Sequence, residues 1–286
     1  MASLPLYHIN ALGMSMFVFA AQASMVLLPQ FNARRYVECI GRFRCTWLTA
    51  VPTMLARALR EQDALASTDL SSVKLARMGS APVVGSLFQD VRHTFPGAIV
   101  SNSFGTAEAG PVVFGASPDR RPVPDGALGW PIEDVEVRIV DKSGGDADEG
   151  VLWIRSPSTM KGYLGLPEKT REVLTPDGWS ISGDVMRRDE NGCYWFVGRA
   201  DDMFVCGGEN IYPSEIELML EKHPAIAQAS VVPVPDEIKG EKPFAFVVTR
   251  ADAQLGEDDV KKYALGAAPA YQHPRRVVFM KELPLA

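Results

Sequence analysis

A single carboxylate, Glu108, stands in the loop NSFGTAEAGP (Asn102 to Pro111), flanked by glycines and with no histidine or cysteine beside it. A lone acid does no covalent chemistry unaided, so its partners must come from elsewhere in the chain. Three other stretches offer candidates. GWSISGDV carries Asp184 directly after Gly183. Such a carboxylate accepts two hydrogen bonds from a ribose diol, or closes an Asx-turn on its own loop. FVGRADD sets Phe196 and Arg199 together, with Arg199 fifteen residues beyond Asp184; for an exposed arginine a surface ion pair is the plainer account. GSAP (Gly79 to Pro82) lets a planar base slide along backbone that has no Cβ in the way, or is simply a turn.

The elements that must position these residues follow from the patterning. TWLTAVPTMLARALREQ reads as a strand running into a helix with Pro52 in its first turn. VKLARMGSAP reads as a strand ending in the GSAP loop, followed by a helix around VGSLFQDVRHTF, and GAIVSNSFG as a strand ending at the Glu108 loop. This alternation predicts a parallel sheet with ligand loops at its C-terminal edge. After Pro124 the short alternating runs VEVRIVD, EGVLWIRSP, GWSISGDV and GCYWFVGR predict an antiparallel sheet or small barrel. After Arg199, PSEIELMLEKHP predicts a helix opened by Pro213 and ended before Pro224. The strands ASVVPV, FAFVV and RRVVFM follow, with a polar helix near EDDVKKYAL. The expected fold class is therefore α/β. A partial parallel-sheet subdomain spans 1–124, a small β-barrel-like subdomain 125–200 and a C-terminal α+β domain 201–286, with the last boundary at Ala200 to Asp202.

Composition narrows the function classes. A formal net charge of -6 argues against a nucleic-acid partner, which needs a basic face. Cys39, Cys45, Cys193 and Cys206 form no close pair, which points to a reducing, cytoplasmic setting rather than a disulfide framework or zinc knuckle. His8, His93, His223 and His273 are too dispersed for a metal site. The apolar run GMSMFVFAAQASMVLLP is interrupted by Ser15, Gln22 and Ser24. It falls short of the about 20 apolar residues a transmembrane segment needs. It reads instead as a buried helix followed by the strand SMVLLP. A dinucleotide oxidoreductase would need a G-x-G-x-x-G turn after a strand, which the chain does not have.

From Gly79 to Glu217 the chain runs GSAP, NSFGTAE, GWSISGD, ENGCYWFVGRADD and GGENIYPSEIE. In this order the motifs resemble the superfamily of adenylate-forming ligases: acyl-CoA synthetases, the adenylation domains of peptide synthetases, and luciferases. The resemblance covers almost the whole chain. LPLYHINAL and KGYLGLPEKTREVLTPDGW are most similar to fatty-acyl- and aryl-CoA ligases.

The resemblance implies a role for each matching residue. Gly79, Ser80 and Ala81 would flank the adenine of ATP or AMP, with Asn102 near its amino group and Phe104 stacking on it beside Gly105 and Thr106. Glu108 would hold the Mg2+ that bridges the ATP phosphates. Asp184 would take the ribose hydroxyls, with Arg199 beside them and Phe196 under the sugar. Asp201 would be the hinge about which the C-terminal lid domain rotates. Gly207 and Gly208 would line the pantetheine tunnel of CoA, and His8 would sit at the acyl pocket. The implied reaction joins a carboxylic acid to CoA through an acyl-adenylate, releasing AMP and pyrophosphate. Neither step needs a protein nucleophile, because metal and cations carry such phosphoryl chemistry by positioning and charge neutralisation.

The sequence departs from that pattern at three places. The family loop reads Tyr-Gly-any-Thr-Glu, and Ala107 stands where its threonine would donate to the α-phosphate; one such donor is worth about 3 kcal/mol. No SGTTGxPK-like phosphate loop is present. The lysine expected after the last Leu-Pro does not follow Leu283-Pro284. The chain thus resembles the second half of a ligase trimmed at both ends, which predicts impaired adenylation. A non-catalytic nucleotide-binding or interaction module with the same fold is the alternative. An α/β domain so trimmed would leave sheet edges and a helical layer uncovered. A homodimer, or a partner covering that surface, is expected.

Overall fold

The computed structural model describes residues 1–81, 83, 85–250 and 253–284. Pro82, which closes the GSAP motif, lies outside the described residues. The chain divides into two compact units, Met1–Ser182 with Arg187–Trp195, and Gly183–Met186 with Phe196–Ala286.

The first unit begins with α1 (Ile9–Ala20), α2 (Ala33–Phe43), β1 (Trp47–Ala50), α3 (Pro52–Ala58), α4 (Gln62–Ser67), β2 (Leu75–Gly79), α5 (Gly85–Thr94) and β3 (Ile99–Ser103). Asn32 starts α2 by accepting the Arg35 N–H at 2.9 Å, and Pro52 starts α3 where no N–H is needed. The three strands form a parallel sheet of order β1-β2-β3, with Gly79 level with Ser103. Tyr36, Ile40, Leu48, Leu55 and Met78 are fully buried between this sheet and its helices. All three strands therefore end together, and the GSAP and Glu108 loops leave from that end, as the alternation predicts.

Next come β4 (Phe114–Gly115), β5 (Trp130–Pro131), β6 (Glu136–Val140), β7 (Glu149–Arg155), α6 (Pro167–Val173), β8 (Ser180–Arg188) and β9 (Tyr194–Arg199). The last four strands make an open sheet of order β6-β7-β8-β9, with β6 and β7 antiparallel. Among the described residues the expected barrel-like closure does not occur: β6 and β9 are not paired with each other, and β9 instead bridges Gly129 through Tyr194.

Two further expectations are corrected near the start of the chain. The run SMVLLP makes a single bridge, Leu27 with Ala2, rather than a strand. Pro29 cannot donate to a ladder and only Ala2 lies alongside. The helix before it is buried on one face only. Ala11, Met14 and Val18 face inward, while Leu12, Met16 and Phe19 are exposed.

The second unit continues with β10 (Phe204–Cys206), β11 (Glu209–Ile211), α7 (Pro213–Glu221), β12 (Ile226–Asp236), β13 (Gly240–Thr249), α8 (Glu257–Ala267) and β14 (Arg276–Met280). Its sheet runs β11-β10-β13-β12, with β14 also on β13, around Ile211, Ile216, Leu220 and Ile226. Pro213 occupies the first turn of α7, and the helix stops before Pro224.

β12 is the last strand of this sheet, yet two of its outward N–H groups are bonded. Glu221 accepts from Ala229 at 2.9 Å and Glu217 from Val231 at 2.8 Å. The spacing permits it: four residues of helix advance about 6 Å, and two residues of strand about 6.7 Å. Burial pushes the Glu221 carboxyl up to about 7, opposed by the bond to Ala229, reinforced by Glu217 and opposed by Arg250. Glu217 is raised too, again by burial, with Asp202 adding to it.

A folded state that holds a proton from about pH 4.5 to about 7, where the unfolded chain has released it, loses stability as pH rises through that window. Glu221→Gln keeps an acceptor for Ala229 and removes the charge. It should flatten this slope and stabilise the protein at pH 8 by about 1–2 kcal/mol, less than the full shift because the half-buried carboxylate keeps part of its hydration. Urea midpoints of both proteins at pH 5 and pH 8 measure it, and parallel slopes would contradict it. The comparison also cancels His273, whose imidazole burial pushes down and which acts in the opposite direction.

Candidate nucleotide site and its relatives

In the first unit the candidate residues gather where the parallel strands end. Gly79 is required by packing, since a Cβ there would lie 2.8 Å from the carbonyl oxygen of Ser103 on the neighbouring strand. Ser80 follows in the left-handed region at φ 67°. Its Oγ accepts from Asn10 Nδ2 at 3.2 Å, and Asn10 Oδ1 accepts from Thr49 Oγ1 at 2.8 Å. A polar row thus joins the start of α1 to the ends of β1 and β2. Asn102, in β3, donates from Nδ2 to the Gly126 carbonyl at 3.2 Å.

Beyond β3, Phe104 lies half-buried with its ring 6.0 Å from that of Phe114. The loop then closes on itself, as Thr106 and Gly110 exchange backbone bonds of 3.0 and 2.9 Å. The Thr106 hydroxyl accepts from the Ala109 N–H at 3.0 Å, so it is engaged within the loop. Ala107 is exposed and brings no hydroxyl. Arg77 donates to Ser103 Oγ and to the Pro111 carbonyl, bracing both ends of the loop.

Glu108 is half-buried, and Tyr163 donates its hydroxyl to Oε1 at 2.7 Å. That bond pushes the Tyr163 phenol above its ordinary value, with burial and the carboxylate charge adding to it. The Met160 N–H donates to the Glu108 carbonyl at 2.7 Å, and Ser156 Oγ to the Ala109 carbonyl at 2.7 Å. The segment 156–163 is therefore laid across the loop. Ala81 and His8 are both exposed, and His8 precedes α1 with its ring 4.6 Å from Tyr7. Gly13 of the same helix meets Pro111, where an added Cβ would lie 3.0 Å from the proline Cβ.

In the second unit Asp184, Arg199 and Asp201 form one cluster. Asp184 is only 7% exposed and accepts from Arg199 Nη1 at 3.2 Å. The same guanidinium donates from Nε to Asp201 Oδ1 at 3.0 Å and from Nη2 to Oδ2 at 3.3 Å. Gly183, at φ 73°, leaves room for this, since a Cβ there would sit 3.2 Å from Arg199 Nη2. The bond from Arg199 holds the Asp201 carboxyl below the usual carboxylate range. Arg199 is exposed, so the plain reading of it as an ion-pair partner describes its geometry. Phe196 is half-buried on β9. Gly207 and Gly208 make the β10–β11 turn at φ 61° and 94°. That backbone is reason enough for glycine at both positions. Around Gly208 a Cβ would meet nothing within 4 Å.

The description "AMP-binding enzyme" matches residues 1–164, and "AMP-binding enzyme C-terminal domain" matches residues 215–286. The chain belongs to the AMP-binding enzymes. As an AMP-binding enzyme it is 34% identical over 286 residues to 4-coumarate--CoA ligase-like 6 of Oryza sativa subsp. japonica, covering 98% of this chain and 48% of that protein. It is 33% identical over 291 residues to 4-coumarate--CoA ligase 1 of Arabidopsis thaliana, covering 99% and 52%. The chain spans about half the length of the curated relatives it matches. Among solved structures, the amide bond synthetase McbA from Marinactinospora thermotolerans superposes with a TM-score of 0.89 at 32% identity, covering 99% of this chain and 58% of that one. ATP-bound MatB from Rhodopseudomonas palustris gives 0.87 at 30% identity, covering 99% and 56%.

The structure brings the predicted Gly79, Ser80, Asn102, Phe104, Gly105, Thr106 and Glu108 to one sheet end, and pairs Asp184 with Arg199 and Asp201. These two sets belong to different units, and each is described within its own. Sequence reasoning missed Asn10 and Tyr163. Tyr163 sits between Gly162 and Gly165 in KGYLG, and its bond to Glu108 spans 55 residues, so no local spacing reveals it.

Proposed function

We propose that this chain is part of an acyl- or aryl-CoA ligase, which converts a carboxylic acid, ATP and CoA to acyl-CoA, AMP and pyrophosphate through an acyl-adenylate. The observation that carries this reading is Asp184, a nearly buried carboxylate held by Arg199 inside the GWSISGD motif. A buried acid is costly unless paired, and Arg199 supplies that pairing at 3.2 Å. Asp184 would take the ribose hydroxyls, with Arg199 beside them and Phe196 under the sugar. Gly79, Ser80, Ala81, Asn102 and Phe104 would serve the adenine, with Gly105 and Thr106 shaping the loop. Asp201 would be the hinge, Gly207 and Gly208 would admit CoA, and His8 would face the acid.

Magnesium, when bound, would supply charge neutralisation at the phosphates. Glu108 fits such an ion: Tyr163 engages Oε1, and Oε2 takes no protein donor among the described residues. No group of three or more His, Cys, Asp or Glu among the described residues could hold a metal unaided, so the other ligands would be phosphate oxygens and water. The free thiols of all four cysteines agree with a cytoplasmic setting. The exposed apolar face of α1 supports a second copy or further chain lying over it.

Ala107 specifically favours a second reading, a nucleotide-binding module with weakened chemistry, since the neighbouring Thr106 hydroxyl is engaged by Ala109. Calorimetry with AMP, an acyl-AMP analogue and CoA tests both readings. The ligase reading expects binding of the first two together with acid-dependent ATP–pyrophosphate exchange that is slow or absent for this chain alone. Binding without exchange that Ala107→Thr fails to raise supports the module. No binding of any nucleotide overturns both. Because one structural relative is an amide bond synthetase, an amine acceptor offered beside CoA decides between thioester and amide formation.

A further inference from the structure

We infer that Tyr163 is a positioning residue that fixes which oxygen of Glu108 is offered to a divalent cation. This rests on the reading of Glu108 as the metal-holding carboxylate. Glu108 is half-buried on its loop, and a free glutamate side chain has roughly 1.5–2 kcal/mol of rotamer entropy to lose on being held. Here it is held at both ends. Its carbonyl accepts from the Met160 N–H at 2.7 Å and its Oε1 from the Tyr163 hydroxyl at 2.7 Å. Tyr163 is itself placed by its own N–H, which donates to Thr170 Oγ1 at 2.9 Å, and that hydroxyl donates on to the Leu166 carbonyl at 2.9 Å. The chain of bonds runs from α6 to one carboxylate oxygen.

The consequence is chemical. Magnesium demands near-ideal octahedral geometry at short distances, so the direction from which a carboxylate oxygen approaches it matters. With Oε1 engaged by the phenol, Oε2 would be the oxygen that Glu108 offers to the ion. Outer partners that orient a ligand in this way are worth on the order of tenfold in metal affinity. Without the phenol, Glu108 gains a second free oxygen and loses its orientation.

The test uses the complete chain and the manganous complex of ATP. Binding is followed by the electron paramagnetic resonance of Mn2+, and by paramagnetic broadening of 13C-labelled tyrosine rings. In the wild type, bound Mn2+ should broaden the Tyr163 ring, identified by its loss in Tyr163→Phe. Tyr163→Phe should weaken binding about tenfold at an unchanged melting temperature, and Glu108→Gln should abolish the metal-dependent part. Equal Mn2+ affinity in wild type and Tyr163→Phe, with both above Glu108→Gln, would overturn the positioning role alone. Equal affinity in wild type and Glu108→Gln would overturn the reading of Glu108 as a ligand, and the inference with it. If Tyr163→Phe melts lower, Thr170→Val removes the upstream support without touching the carboxylate. It should then weaken binding in the same direction, and no weakening would count against the inference.

Discussion

Replacing Gly105 by alanine should destabilise the first unit by about 3 kcal/mol or more and lower its melting temperature by roughly 6–12 °C. The added Cβ would lie 2.5 Å from the Pro111 carbonyl oxygen and 2.6 Å from that of Gly110. Both are backbone atoms, locked in turn by the Thr106–Gly110 pair and by Arg77. No flexible side chain can swing aside, so the loop itself must move. Gly105 does not occupy the left-handed region, so the whole effect is steric. Gly208 provides the control, because its φ of 94° is left-handed and nothing lies within 4 Å of a Cβ there. Gly208→Ala should cost only about 1 kcal/mol of backbone strain. Thermal melts of the two variants measure the contrast, and a Gly105→Ala protein melting like wild type would refute it. Because the displaced loop carries Glu108, Gly105→Ala should also lose metal-dependent nucleotide binding in whatever fraction remains folded.

The second large effect concerns Asp184. If Asp184 takes the ribose hydroxyls as proposed, Asp184→Ala should weaken AMP binding by roughly 30- to 1,000-fold, equivalent to about 2–4 kcal/mol, since they would lose a charged acceptor. Stability should change far less. Arg199 is exposed and keeps both bonds to Asp201, so removing Asp184 strands no buried cation. Asp184→Asn retains one acceptor oxygen and should fall between the two. Calorimetric titration with AMP alongside a melt separates the outcomes. Unchanged affinity in Asp184→Ala would remove this residue from the nucleotide site, whereas loss of affinity together with a collapse of the melt would mean that the pair is structural.

Much of the fold is legible in the chain because its signals are local. β1, β2 and β3 are short apolar runs ended by turn residues, and Pro52 and Pro213 mark helix starts by their fixed φ. Glu108 and Asp184 can be singled out locally, the first as the one carboxylate of the loop after β3 and the second because it follows Gly183, although Asp184 lies within β8 rather than in a turn. What fails is what depends on distant partners. SMVLLP has the composition of a strand, but a strand also needs a neighbour, and only Ala2 is there. The apolar run around Met14 predicts a buried helix, and composition cannot say that Met16 and Phe19 face out. Four alternating runs suggest a barrel equally well as a sheet, since closure depends on the pairing of the first strand with the last. Tyr163 and Asn10 act across 55 and 70 residues, and their types alone give no hint of it.

The two glutamates of α7 have one further consequence. A terminal strand with vacant amides is a template on which a second chain can grow a ladder, the first step towards fibrils. On β12 the N–H groups of Ala229 and Val231 are already taken by carboxylates. An arriving strand would first have to displace both carboxyl groups from these amides. The helix thus performs for this sheet the task that lysines, prolines or bulges perform elsewhere.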